Sequence, residues 1–242
     1  MERPALHGLR GPIAATLLSL LCVLAWDASG LDLAAAQWLG TPGGFRWRHD
    51  PALVLWMHEV PRFASWLLIA LLVVAVRWPV GFLRQVDRAG RVQLALTVVG
   101  SVLVVSFIKT HSATSCPWDL QAFGGVARHV SHWTWGIGDG GPGKCFPAGH
   151  ASAAFAYLGG WFVLRRTAPR IARRWLAVAL AAGLVLGLGQ QVRGAHYMSH
   201  TLWTAWICWS IGWLVDGMAA LVRARARVPE RLKPGAVPAQ PS

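Results

Sequence analysis

Charge is what this sequence has least of, and acid least of all. Only 14% of the 242 residues are charged, and Asp and Glu together number 10. A soluble globular domain carries about 25% charged residues. A water-facing surface along the whole chain is therefore excluded. Lysine is nearly absent too: Lys109, Lys144 and Lys233 are the only three among 23 basic residues, and the rest are arginine. The shortage of acid leaves a formal charge of +13. Such a surplus can mark a nucleic-acid binder. Here, however, the basic residues are spread over separate turns between apolar runs and form no single basic face, which argues against nucleic acid as a partner. Internal repeats and long low-complexity tracts are also lacking, so repeat architectures drop out.

Apolar runs are plentiful. The chain is 55% hydrophobic with 15 Trp, a composition of the membrane class. Six spans are expected, at residues 12–26, 63–78, 92–108, 148–164, 175–188 and 201–222. The expected fold is all-α and polytopic, a single domain over 1–228, with a Pro- and Ala-rich tail at 229–242 expected to be disordered. The first apolar stretch has a rival reading as a signal peptide with small residues near Ala28-Ser29-Gly30. Segment 30–61 is mixed in character and reads as a loop with an amphipathic helix in the membrane interface. Segment 110–146 is the longest without an apolar run. It is too long for a simple connection and reads as functional.

Arginine alternates along this order. The N-terminus, the 77–91 loop, the 165–174 loop and the C-terminus are strongly basic, and the other loops carry few positive charges for their length. Basic loops stay on the cytoplasmic side. Both termini are therefore expected in the cytoplasm, and Lys109, His150, Arg193, His196 and His200 on the outer face of an inner (plasma) membrane. Trp118, Trp133, Trp135 and Trp203 fit an interfacial belt.

Two stretches carry the chemistry. Pro147-Ala-Gly-His150 places a tight turn before an apolar run, and a helix start of this kind offers free N–H groups and a positive dipole end to an anion. Histidine's unperturbed pKa lies near neutrality, which suits His150 to act as a general acid there; the other reading is that it merely caps the helix. Arg193-Gly-Ala-His196-Tyr-Met-Ser-His200 spaces two histidines four apart. They are neighbours if helical conformation reaches back to His196. One then acts as a nucleophile and the other orients it, while Arg193 offers a fork suited to phosphate oxygens. The same spacing suits zinc, but the Glu of a His-Glu-x-x-His motif is missing and no third ligand-rich segment stands out. Lys109 either snorkels or joins the anion site, to which Lys144 would add charge. Arg128, His111, His129 and His132 are weaker candidates. Cys22 and Cys208 fall inside spans, whereas Cys116 and Cys145 share the 110–146 loop and would form a disulfide if that side is oxidising.

Lys109 followed six residues later by Cys116-Pro117, then Pro147-Ala-Gly-His150, then Arg193 with His196 and His200, resembles the three-part signature of the type 2 phosphatidic acid phosphatase superfamily. The usual pattern is Lys-x6-Arg-Pro, Pro-Ser-Gly-His and Ser-Arg-x5-His-x3-Asp. The resemblance implies a phosphatase in which His196 is the nucleophile and His150 the general acid. Lys109, Arg193 and the Gly149 backbone would hold phosphoryl oxygens, and no metal or cofactor is needed. Several motif positions depart from the pattern. Cys116 replaces an Arg, Ala148 a Ser, Gln190 the Arg expected six before the nucleophile, and His200 the Asp. Asp119 is a candidate for the missing carboxylate. The expected activity is hydrolysis of a lipid phosphate monoester or pyrophosphate in the bilayer. The alternatives are a lipid phosphotransferase and a non-catalytic phospholipid-binding relative. The sequence does not fix an oligomeric state.

Overall fold

The computed structural model describes residues 4–231 except Trp135. Helix α1 (Pro4–Ala28) leads into a short helix α2 (Leu31–Leu39) and a two-stranded hairpin, β1 (Gly40–Thr41) antiparallel to β2 (Gly44–Phe45). Four long helices and one short one follow: α3 (Pro51–Ala75), α4 (Arg88–His111), the short α5 (Ser152–Leu164), α6 (Pro169–Val192) and α7 (Met198–Arg231). Five helices, α1, α3, α4, α6 and α7, are long and apolar enough to cross a membrane. They enclose four of the six expected spans, and α3 covers the 63–78 span up to Ala75, three residues short of its expected end.

The fourth expected span differs. It is a 13-residue helical run, Ser152–Leu164, with a tighter 3-10 turn in its middle at Ala156–Gly159. At about 1.5 Å per residue it falls short of a hydrocarbon core about 30 Å thick. Its apolar side chains face protein instead. Phe155, Leu158 and Leu164 are fully buried and pack with Leu94, Val98 and Val105 of α4, and the fully buried Phe162 packs against Trp209. A helix apolar on all sides is a buried one. Glycine allows the approach: a Cβ on Gly159 would stand 3.0 Å from the Gly212 backbone and 2.0 Å from Thr97, so any side chain there would push α7 and α4 away.

Helix α3 starts about a dozen residues before the expected span, because Asp50 accepts the Leu53 N–H and Pro51 takes the first turn. Pro61 then cannot donate to the carbonyl four residues back. The helix widens to a π turn over Leu55–Glu59, and the Met57 carbonyl accepts from Gln190 Nε2 at 2.7 Å instead. Helix α7 runs on to Arg231, so the first three residues of the expected tail are helical. The rest of the tail lies outside the described residues.

At the end of the bundle away from the site, the buried Asp216 of α7 accepts from Gln93 of α4 and pairs with Arg165 and Arg166. At the site end, Phe45 of the hairpin packs with Leu120, Phe123, Ala127 and Tyr197, closing the 112–146 loop over the helices. The expected tryptophan belt holds only in part. Trp133 is exposed. Trp203 is 8% exposed and donates to Asp27, and Trp118 is half-buried against Asp119. Trp135 lies outside the described residues.

Candidate active site

Three backbone segments converge at one end of the bundle: the last turn of α4, the turn leading into α5, and the turn between α6 and α7. Lys109 ends the first. Its stem crosses Gly149 so closely that a Cβ there would stand 3.2 Å from Lys109 Cδ, and Lys109 pairs with no carboxylate among the described residues. In the second, the Ala148 N–H is given to the His200 carbonyl (3.2 Å), and the Gly149 carbonyl accepts from the Ser152 hydroxyl. The Gly149 and His150 N–H groups find no acceptor among the described residues, so they are free for an anion.

In the third segment His196 precedes helix α7 by two residues, so helical conformation does not reach it. The sequence condition fails, yet the neighbourhood forms: His196 Nδ1 stands 3.5 Å from His200 Nδ1, and both rings are almost wholly buried. His150 and His196 have ring centroids 5.8 Å apart. Thr204 fixes the backbone, its hydroxyl donating to the Ala148 and His200 carbonyls.

Cys116 and Cys145 are joined in a disulfide. It ties the start of the long loop to the site, with Cys145 Sγ in contact with His196 Nδ1 at 3.4 Å. Cys145, His196 and His200 are grouped as metal ligands would be. A sulfur committed to a disulfide is not a thiolate ligand, which leaves two histidines, one fewer than a catalytic zinc takes from protein.

Other sequence candidates fare differently. Arg193 is turned toward protein: Nε and Nη2 donate to the Arg48 carbonyl and Nη1 to Gln190 Oε1, leaving two of its five N–H donors free. Gln190, at the position of the family arginine, is thus a strut between Arg193 and Met57. Asp119 does not supply the missing carboxylate. It accepts from the Trp118 indole (3.1 Å) and faces Arg48, away from both histidines. Lys144 is exposed, and only its backbone N–H, donating to Ser112, ties it down. Arg128, His111 and His129 make no contact with the site histidines.

Four residues without a motif signal do belong here. The π turn of α3 sets His58 against His150, with centroids 4.3 Å apart, and Glu59 accepts from His58 Nδ1 at 2.7 Å. On the far side, His132 lies edge-on to His200 and stands 3.4 Å from Asp27. The result is a row of five histidines, 58, 150, 196, 200 and 132, with a carboxylate at each end. A proline ten residues after a capped helix start was the one legible hint for His58.

Burial pulls His150, His196 and His132 below the ordinary histidine value. His150 is pulled down to about 3, by burial first and then by His58, Lys109, Arg193 and Arg62. His196 is held well below its ordinary value by burial, then by Lys109 and the neighbouring rings. Burial also lowers His132, opposed by Asp27. Below the unfolded value of about 6.5, the unfolded chain takes protons that these folded histidines refuse, so stability falls as pH drops, by up to about 1.4 kcal/mol per histidine per pH unit. The thermal midpoint in detergent is expected to fall between pH 7 and pH 5, and less steeply in His150→Gln.

A family model of the PAP2 superfamily matches residues 90–221, which covers α4 through most of α7 and every element of the site except α1 and α3. No curated protein and no solved structure matches the chain. With more than half its length matched and the three signature segments brought together around Lys109, His150 and His196, the chain belongs to the PAP2 superfamily, a family of phosphatases.

Proposed function

We propose that the protein is a membrane lipid phosphatase working through a phosphohistidine at His196. The observation that carries this reading is the pair of neutral rings, His150 and His196, 5.8 Å apart beside an unpaired lysine. A phosphoryl group between them meets a nucleophile on one side and a proton carrier on the other. Lys109, the free N–H groups of Gly149 and His150, and the spare donors of Arg193 hold its oxygens.

The steps balance as follows. His196 Nε2 attacks phosphorus while Nδ1–H is held toward His200 Nδ1. The bond to the leaving alkoxide breaks, and a protonated His150 gives it a proton. A water molecule then loses a proton to His150 and attacks the phosphohistidine. Phosphate departs and His196 is restored. Fixed cations supply the electrostatic stabilisation.

Two features support a lipid substrate at the membrane surface. The site lies at the ends of apolar helices, so a headgroup reaches it while the tail stays among them. The arginines of 165–174 and 223–227 lie at the opposite end of the bundle, and the positive-inside bias then turns the site outward. Purified protein incubated in detergent with phosphatidic acid, phosphatidylglycerol phosphate, undecaprenyl pyrophosphate and a lipid A phosphate is expected to release phosphate from at least one. Release from none would overturn the reading. Repeating the assay with an added acceptor lipid separates hydrolysis from phosphotransfer.

A further inference from the structure

The nucleophile lacks an adjacent carboxylate. When His196 attacks phosphorus its ring becomes positive, and Nδ1–H needs an acceptor. That acceptor is another imidazole, His200, which carries no charge to answer it. Yet the imidazole does not end the row. The His200 Nε2 atom is buried with no hydrogen-bond partner, and the ring beside it is His132, edge-on at 6.0 Å between centroids. Phe146 holds both rings, stacked flat on His132 at 4.2 Å and edge-on to His200 at 5.2 Å. Beyond His132 lies Asp27, with Oδ2 3.4 Å from His132 Nε2, close enough to pair though not aligned as a hydrogen bond. Asp27 lies in the last turn of helix α1, and the indoles of Trp203 (2.7 Å) and Trp133 (3.0 Å) donate to the same oxygen. Its Oδ1 is buried and unpartnered. A buried carboxylate held by two indoles and facing only a histidine is costly unless its charge is used.

We propose that Asp27 and His132 are positioning residues for the phosphatase reaction: Asp27 supplies, through His132 and His200, the negative charge that the third motif lacks. The tautomers follow in one direction. Asp27 keeps the proton of His132 on Nε2. The two faces left over, His132 Nδ1 and His200 Nε2, then suit one another only if His200 carries its proton on Nε2. That leaves His200 Nδ1 as a lone pair toward His196 Nδ1–H, the tautomer that frees His196 Nε2 for attack. No proton needs to move along the row. This inference rests on the phosphohistidine reading and extends it to Asp27 of α1 and His132 of the long loop, neither of them a motif residue.

The test is a pair of double-mutant cycles, read as kcat and KM on phosphatidic acid in detergent micelles, or on an isoprenyl pyrophosphate should that be hydrolysed faster. Asp27→Asn keeps an acceptor for both indoles and removes the charge. It is expected to lower kcat by about 10–100-fold, the range seen for outer-shell partners, with KM changed by less than about threefold. His200→Asp places a carboxylate directly beside His196. In that background the same Asp27→Asn change is expected to cost less than about threefold. The second cycle uses His132→Phe, which keeps the stack on Phe146 and removes the ring nitrogens. Combined with Asp27→Asn, it is expected to be no worse than either change alone. Equal losses from Asp27→Asn in both backgrounds, additive losses in the second cycle, or no loss from Asp27→Asn in the parent would each overturn the proposal. Should His200→Asp fail to fold, the second cycle decides by itself. A parent protein that releases no phosphate from any lipid overturns the phosphatase reading instead, so the two failures are distinct.

Discussion

His196→Ala is expected to lower phosphate release by about 10⁴-fold or more, the scale of losing a nucleophile from a site whose members act as a unit. The loss should fall on kcat, because Lys109, the Gly149 and His150 N–H groups and the spare donors of Arg193 would still hold the phosphate. The variant should also fold. His196 lies in a turn outside helix α7, and its neighbours are pinned independently, by the Ala148 N–H to the His200 carbonyl and by the Thr204 hydroxyl. Retention of the elution profile and melting behaviour of the parent, with turnover gone, is the expected pattern. Removing a buried ring leaves a cavity, so the melting point is the control that keeps a loss of activity from being read as a loss of fold.

His150→Ala is expected to cost about 10²–10⁴-fold, the usual worth of a positioned general acid or base, and the size should depend on the leaving group. A lipid alkoxide leaves poorly without a proton. A nitrophenolate leaves readily, so the variant should keep most of its activity toward an aryl phosphate while losing it toward a phospholipid. An equal loss on both would show that His150 only shapes the site. The electrostatics add a pH signature. With its free-enzyme value pulled down to about 3, His150 carries no proton at neutral pH. The proton must arrive with the substrate, whose phosphate monoester has a second pKa of about 6. Bringing that dianion's charge into the site favours the imidazolium. The rate constant kcat/KM is therefore expected to fall as pH rises above about 6, following the substrate's ionisation and not a free histidine near 6.5.

Much of this was legible in the chain before folding. Apolar runs and arginine-rich turns located the helices, because membrane-length segments are dictated by composition. The spacing of Lys109, the Pro147 turn and His196 identified the family, because those residues sit at helix ends whose positions the runs determine. Residues 148–164 looked like one more span, since a buried core helix and a lipid-facing one are equally apolar. The 13-residue length of the helix, the Gly159 contact with Gly212 and the burial of Phe155 and Phe162 distinguish them. His58, His132 and Asp27 were hidden for another reason. Their distance from His150 and His200 along the chain is closed by tertiary contacts, and a lone histidine in a loop carries no spacing to read. Asp119 and Lys144 are near the motifs in sequence only: the 3-10 turn at Pro117–Asp119 and the exposed position of Lys144 turn both elsewhere. Arg193 was assigned by its chemistry, but most of its donors serve the Arg48 carbonyl and Gln190, a role that follows from Gln190 standing where the family keeps an arginine.

The covalent intermediate is the centre of the account, and it can be trapped. Purified protein mixed with lipid substrate labelled in the phosphate, then quenched in alkali within a turnover, is expected to carry label that is stable to base, labile to acid, and located at His196 by peptide mapping. A protein that turns over the same lipid while His196 stays unlabelled, or that places the label on another residue, would contradict the mechanism.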